Sequence, residues 1–382
     1  MIIGVLKEGN HEKRVALLPE VVKNLKDLKC TVYVESGAGH AAFAPDEHYK
    51  NAGAEVKQRD EVLQQSDVVL CIHSLPVGEV LKMRKNGVVL GIFLPLYNYD
   101  LMKAYAAEGL TAFSLDMIPR TTRAQSMDVL SSQANIAGYK AVITAAYHYP
   151  HLYPMLTTAA GSIAPAKVLI LGAGVAGLQA IATAKRLGAV VEVFDTRPAV
   201  KEEVKSLGAK FIEVEGAADA SKAGGYAVEQ TEEYKQKQKA KIAESVAKAD
   251  VVISTAQIPG KRAPVLVTKE MVQQMRPGSV IIDLASATGG NCELTADNQV
   301  ISQHGVTIVG QSNLQGTVPA DASKVLGKNY LNFLKLIISP EGQLALNMED
   351  DLVVGTCITH QGNVTNSHVA ELIQSKELIQ AQ

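Results

Sequence analysis

Gly172, Gly174 and Gly177 stand in the spacing G-x-G-x-x-G, and an acidic residue, Asp195, follows 18 residues after the third glycine. Those residue types in that order suit the grip on a dinucleotide. Gly172 permits a tight turn, Gly174 puts no side chain between the backbone and a pyrophosphate, and Gly177 lets a helix lie close on a strand. The helix start, with Val175 and Ala176, turns free N–H groups and a positive dipole end toward the phosphates. Asp195 can accept hydrogen bonds from ribose hydroxyls and repels a 2′-phosphate, so NAD(H) is expected over NADP(H). Thr196 and Arg197 complete the expected contacts, although the Arg197 guanidinium works against that preference because it can bind a 2′-phosphate.

The motif has this meaning only between a strand and a helix, and the neighbouring sequence supplies both. Val168–Leu171 is an apolar run of buried-strand type, a helical pattern covers Gly174–Leu187, and Val190–Phe194 is the next strand, ending at Asp195. Val251–Thr255, Ser279–Leu284 and Val306–Val309 continue that set. An earlier set runs through Met1–Leu6, Thr31–Glu35, Val68–Ile72, Val88–Phe93 and Leu110–Ser114, with helical spacing over Pro19–Leu28. Between the sets, a helical pattern extends from Asp128 to about His148 and stops at Pro150. Ser323–Ile338 has helical periodicity, and Leu352–Thr359 reads as a late strand.

The two sets partly repeat each other. Asp67-Val-Val precedes Pro76 and Gly87-Val-Val-Leu, and Asp250-Val-Val precedes Pro259 and Gly278-Ser-Val-Ile. Alternating strands and helices predict an α/β protein of two Rossmann-like, doubly wound parallel-sheet domains, with a cleft between them and long helices joining them. The expected divisions are residues 1–126 completed by 325–382, and a NAD-binding domain over 127–324 entered by the connector helix.

Composition removes other classes. The chain has 382 residues and a net charge of only −2, and that balance gives no reason to expect nucleic acid as a partner. Cys30, Cys71, Cys292 and Cys357 are far apart and form no C-x-x-C pair, which predicts reduced structural thiols and no metal site. The N-terminus lacks a basic region followed by a long apolar stretch, and the most apolar segment, Val168–Ala184, is interrupted by glycines and is shorter than a span of about 20 residues. A cytoplasmic protein without direct membrane insertion is expected.

Several further segments carry a resemblance. Arg120-Thr-Thr-Arg-Ala-Gln-Ser-Met-Asp128, Asn135-Ile-Ala-Gly-Tyr139, Gly172–Gly188, Gly224-Gly225-Tyr226-Ala227, Ile258-Pro-Gly-Lys261 and Gly289-Gly-Asn-Cys-Glu293 resemble the NAD(H)-binding component of proton-translocating transhydrogenase. The resemblance spans nearly the whole chain. It implies that NADH bound here hands a hydride to NADP(H) held by a partner subunit, with a transmembrane subunit coupling the exchange to proton movement. It further implies a homodimer, peripheral to the inner membrane through those partners. Since the chain ends at Gln382 without a membrane segment, it looks like the separate soluble subunit.

The same resemblance assigns roles. Gln125 would hold the nicotinamide ribose and reach the second nucleotide. Arg120 and Asp128 would form an ion pair that fixes the loop, with Arg120 reaching the carboxamide and Ser131 as companion; the other reading of Asp128 is a helix cap, since it stands at a helix start where a carboxylate is favoured. Tyr226 would tip a loop that closes over the nucleotide, Gly225 and Gln238 would line the closed site, and Gln257 would lie near the nucleotide and contact it through its backbone. Tyr139 is either a core residue of the connector helix or a nucleotide contact.

Alanine dehydrogenase shares the fold and is the alternative. It must hold a keto-acid carboxylate and move a proton, for which that family uses a lysine, a histidine, an aspartate and an arginine. The matching positions here are Cys71, Pro95, Ala287 and Arg14, so only the arginine is kept. Transfer between two nicotinamides moves a hydride from carbon to carbon and needs positioning rather than a general acid or base. A non-catalytic NAD sensor is the third possibility.

Overall fold

The computed structural model describes residues 1–9, 11–214 and 231–380. The chain divides into two compact units, Met1–Gln133 with Gly316–Gln382, and Ala134–Gln315. It leaves the first inside the helix Val129–His148 and re-enters it just before the helix Pro319–Ile337.

The first unit begins with β1 (Ile2–Val5), β2 (Thr31–Glu35), β3 (Glu55–Lys57), β4 (Val68–Leu70), β5 (Val88–Gly91) and β6 (Thr111–Ser114). The second contains a hairpin, β7 (Leu156–Thr158) and β8 (Gly161–Ile163), whose strand residues are all exposed. It continues with β9 (Lys167–Leu171), β10 (Val190–Phe194), β11 (Lys210–Phe211), β12 (Val251–Ser254), β13 (Val280–Asp283), β14 (Gln299–Gln303) and β15 (Val306–Gly310). On its return the chain adds β16 (Cys357–His360) and β17 (Asn363–Val364) to the first sheet. The sheet orders are β17-β16-β6-β5-β4-β1-β2-β3 and β11-β10-β9-β12-β13-β15-β14. Each unit thus has the 3-2-1-4-5 order of a doubly wound sheet, and its order reverses beside β1 or β9.

Strands such as β4, β5 and β12 are buried along their whole length, as parallel strands covered on both faces must be. The edges depart from the parallel expectation: β14 pairs antiparallel with β15, and β16 pairs antiparallel with β6 and β17.

The repeat extends to single atoms. The Asp67 carboxylate accepts from the Ile2 N–H at 2.7 Å, and that of Asp250 accepts from the Lys167 N–H at 2.8 Å. The Asp67 N–H donates to the Ile2 carbonyl and the Asp250 N–H to the Lys167 carbonyl, each at 2.9 Å. Each aspartate is also met by an arginine, Arg84 and Arg276 respectively. The aspartate before each fourth strand therefore locks that strand to the first by a charge-assisted bond.

One expectation fails. Leu352–Thr359 is not one strand: Asp351–Thr356 is helical and only Cys357–His360 is extended. Asp350 caps the helix, accepting from the N–H groups of Leu352 and Val353, and the Thr356 hydroxyl donates back to the Leu352 carbonyl at 2.7 Å. A side-chain cap overrides the β preference of Leu-Val-Val. Among the described residues no helix is long and apolar enough to cross a membrane.

The returning helix Pro319–Ile337 fills the first unit. Leu326, Tyr330, Phe333, Leu334 and Ile337 recur at helical spacing and are buried. Phe333 meets Phe113 of β6 with ring centroids 5.3 Å apart, and the Tyr330 hydroxyl donates to the Cys71 carbonyl at 2.7 Å. Phe333→Ala is expected to destabilise this unit by about 3–5 kcal/mol. Hydrogen exchange would show protection lost across β1–β6 and retained more fully across β9–β13; equal loss in both would contradict separate cores.

Candidate functional site

β9 runs directly into the glycine turn. Gly172 has φ +103°, in the region that favours glycine, and its N–H donates to the Phe194 carbonyl at 2.8 Å. The helix Val175–Arg186 follows with Gly174 as N-cap. A Cβ at Gly177 would lie 1.9 Å from the Gly172 carbonyl oxygen, so only glycine lets the helix approach this closely. A Cβ at Gly174 would meet nothing within 4 Å. Open space beside an N-cap, with Val175 exposed and Ala176 half-buried behind it, fits a pyrophosphate held by backbone N–H groups.

A second close approach involves the start of the same helix. A Cβ at Gly138 would stand 2.1 Å from the Ala176 carbonyl oxygen, so the helix Val129–His148 also packs at glycine distance on the start of the fingerprint helix. The detectable signal was a glycine within a long helix, where it costs about 1 kcal/mol and needs a packing reason.

Asp195 ends β10 and is buried. Its carboxylate accepts from the Ala173 N–H at 2.7 Å and the Arg197 N–H at 2.8 Å, and from Arg197 Nε at 2.9 Å and Nη2 at 2.7 Å. Asp195 thus ties the glycine turn to its own strand end, and Arg197 neutralises it. That hydrogen bond raises the Arg197 pKa further. Thr196 between them is half-buried.

The far wall is a loop after β12. Thr255 Oγ donates to the Gly172 carbonyl at 3.1 Å, and Gln257, exposed, donates from Nε2 to the Leu284 carbonyl at 3.0 Å. Asn291 is fully buried: Oδ1 accepts from the Ala256 N–H, while Nδ2 donates to the carbonyls of Ala256 and Pro264. The buried Asp283 carboxylate in turn accepts from the N–H groups of Asn291 and Cys292 and from Thr295 Oγ. Sequence reasoning singled out neither Asn291 nor Asp283 as supports of this wall. Gln238 is half-buried on the helix Glu232–Lys248, one turn beyond the buried Tyr234. Gly225 and Tyr226 lie outside the described residues.

The other candidate set lies in the first unit. Thr122–Met127 is a short 3₁₀ helix whose Ala124 and Met127 enter the core, leaving Arg120 and Gln125 exposed. Asp128 meets Ser131. Its two carboxylate oxygens accept from the Ser131 N–H at 2.9 Å and the Ser131 hydroxyl at 2.5 Å, which makes it the cap of the helix Val129–His148. A free N–H at a helix start and a hydroxyl one turn on hold the carboxylate there. Arg123 grips Asp350 through Nη1 at 2.8 Å and Nη2 at 2.5 Å and also touches Asp351. Tyr139 is exposed, which favours a contact role over a core role.

Arg14 is buried and bonds two side chains. Nε and Nη2 donate to the Glu12 carboxylate at 2.9 and 2.6 Å, and Nη1 donates to Gln133 Oε1 at 2.8 Å. Burial opposes ionisation of Glu12, but hydrogen bonds from Arg14 and His73 outweigh it and hold its pKa far below the usual carboxylate range. Cys71 is wholly buried, and burial pushes its thiol pKa well up.

Fold and fingerprint define a Rossmann-type protein that binds a dinucleotide. Residues 4–137 match the alanine dehydrogenase/PNT N-terminal domain and residues 141–367 its C-terminal domain, and the chain belongs to this family. It is 47% identical over 376 residues to the first part of the NAD(P) transhydrogenase alpha subunit of Rhodospirillum rubrum, covering 96% of this chain and 98% of that one. The NAD(P) transhydrogenase subunit alpha of Haemophilus influenzae is 40% identical, with 95% of this chain and 71% of that one covered. The crystal structure of a transhydrogenase from Sinorhizobium meliloti superposes with a TM-score of 0.87 at 48% identity, covering 95% of this chain and all of that one (100%). An L-alanine dehydrogenase structure gives 0.82 at 27% identity, covering 98% and 99%. The family and the fingerprint together make this an NAD(H)-binding protein of transhydrogenase kinship.

Gly177→Ala is expected to weaken NADH binding by about tenfold or more, because relieving the overlap with the Gly172 carbonyl shifts the helix start and costs about 1–3 kcal/mol. Fluorescence titration with NADH would read it, and wild-type affinity would refute the packing argument.

Proposed function

We propose that this chain is the NAD(H)-binding subunit of a proton-translocating transhydrogenase, catalysing hydride transfer between NADH and NADP+ on a partner subunit. Bound NADH supplies the hydride, which passes from one nicotinamide C4 to the other. The protein's task is alignment. The backbone of Gly172, Gly174, Val175, Ala176 and Gly177 holds the pyrophosphate, and Asp195, Thr196 and Arg197 receive the adenosine ribose, whose hydroxyl takes the place of an Arg197 N–H on the Asp195 carboxylate. Gln125 donates and accepts at once, holding the nicotinamide ribose and reaching the second nucleotide. Arg120 meets the carboxamide. Asp128 and Ser131 set the end of the loop by capping the helix after it. Gln238 lies along the nucleotide site, and Gln257 contacts the nucleotide through its backbone. The partners are NADP-binding and transmembrane subunits and a second copy of the chain, and the assembly sits at the cytoplasmic face of the inner membrane.

The observation that supports this reading best is Gln125. It is an exposed amide on a loop whose neighbours Arg123, Ala124 and Met127 are anchored, which suits a residue that must hold a ring and not a proton. Amino-acid chemistry fits less well. Cys71, Pro95 and Ala287 stand where that chemistry uses a lysine, a histidine and an aspartate, and the one retained group, Arg14, already bonds Glu12 and Gln133.

Mixing the protein with NADH, an NADP-binding transhydrogenase domain and NADP+ is expected to produce NADPH, whereas alanine and NAD+ alone yield no rate. Gln125→Ala should slow single-turnover transfer about 10- to 100-fold, with NADH affinity within about twofold of wild type. Absence of exchange with the partner domain would sink the proposal, and rapid alanine oxidation would establish the alternative.

A further inference from the structure

The helix Pro319–Ile337 carries one buried polar side chain with two engagements near the Arg120–Asp128 loop. Asn329 is 7% exposed. Its Nδ2 donates to the Ser126 carbonyl at 2.9 Å, and its Oδ1 accepts from Ser132 Oγ at 2.7 Å. Ser126 precedes Asp128 and Ser132 follows it, so one amide spans the joint between the loop and the capped helix. The Ser126 carbonyl accepts a second amide from Asn332, at 3.1 Å on the exposed side. On the next turn of the capped helix, Gln133 Nε2 donates to the Ala322 carbonyl at 3.1 Å while its Oε1 accepts from Arg14.

We propose that Asn329 is a positioning residue for hydride transfer: its amide clamps Ser126 to Ser132 and so fixes where Gln125 is presented. The inference rests on the function proposed above. A buried amide is suited to this because it offers one donor and one acceptor to two partners of opposite kind. A hydrophobic side chain there would leave the Ser126 carbonyl and the Ser132 hydroxyl each short of one bond. The clamp belongs to the first unit, whereas the Gly172 turn lies in the second, so its loss acts on the transfer rate and leaves nucleotide affinity in place.

The test is Asn329→Asp in the full chain, with Asn329→Ala beside it. A protonated carboxyl keeps one donor and one acceptor; an ionised one has only acceptors and faces the Ser126 carbonyl. Burial raises the pKa of the introduced carboxyl, so the clamp is present at low pH and lost as pH rises. At about pH 8, exchange of the 120–128 amides is expected to be about tenfold faster than in wild type at the same pH, and single-turnover transfer about 10- to 100-fold slower. NADH affinity should stay within about twofold. Near pH 5.5 Asn329→Asp should return toward wild type, whereas Asn329→Ala should not. Unchanged exchange and transfer in Asn329→Asp at high pH would overturn the clamp, as would a pH-independent loss equal to that of Asn329→Ala. If Asn329→Asp does not fold at high pH, Ser132→Ala, which removes the hydroxyl's contacts with Asn329, Val129 and Gln133 but keeps the bond from Asn329 to Ser126, should still speed loop exchange by about threefold or more; no change there overturns the proposal. A wild-type protein inactive with the partner domain would defeat the functional reading, while amide exchange would still decide the clamp.

Discussion

The second unit depends on one close approach, that of the helix Val175–Arg186 to the turn at Gly172. A Cβ at 177 would fall 1.9 Å from the Gly172 carbonyl oxygen, and one at 138 would fall 2.1 Å from the Ala176 carbonyl oxygen. The start of the helix is therefore packed by backbone at two points. Its free N–H groups are held in place rather than left to fray, as a pyrophosphate site requires. The surrounding polar contacts serve the same turn. Asp195 accepts from the Ala173 N–H, Thr255 Oγ donates to the Gly172 carbonyl, and Asn291 holds Ala256 by both its N–H and its carbonyl.

The first unit has the same sheet order but puts different chemistry around it. Arg14 bonds both Glu12 and Gln133. The guanidinium thereby ties the N-terminal segment to the helix that begins after Asp128. Breaking that pair would leave a charge buried, which is costly. The unit invests its polar side chains in holding the Arg120–Asp128 loop from behind: Arg123 to Asp350, Asn329 and Asn332 to Ser126, Ser131 to Asp128. Gln125 is left exposed at the front. This division suits a reaction in which two rings must be aligned and no proton moved.

The repeated aspartates show how far the likeness between the units goes. Asp67 and Asp250 each bond the first residue of the central strand through both carboxylate and backbone. They keep the 1–4 strand pairing in register in both sheets. The sheets diverge at their edges, where β14 and β16–β17 run antiparallel and need no crossover helix.

Much of this was legible in the residues themselves. Continuous apolar runs identified the inner strands, because strands buried on both faces cannot carry polar residues. The G-x-G-x-x-G spacing located the turn, since only glycine tolerates φ +103° at 172 and the contact at 177. The segments Arg120–Asp128 and Gly289–Glu293 carried the family resemblance, and residues 4–137 and 141–367 match that family. The caps are local as well: a carboxylate at a helix start was the other reading of Asp128, and Asp350 bonds the N–H two residues on. What local pattern could not supply was the partner of a polar group far away along the chain. Asn329 meets Ser126 and Arg14 meets Gln133 across more than a hundred residues of chain. Sequence alone determined the elements and the nucleotide turn, because backbone sterics and hydrophobic periodicity are local. Only the tertiary structure decided how the loop at 120–128 is held, because a hydrogen bond between residues distant in sequence is set by where the fold brings them.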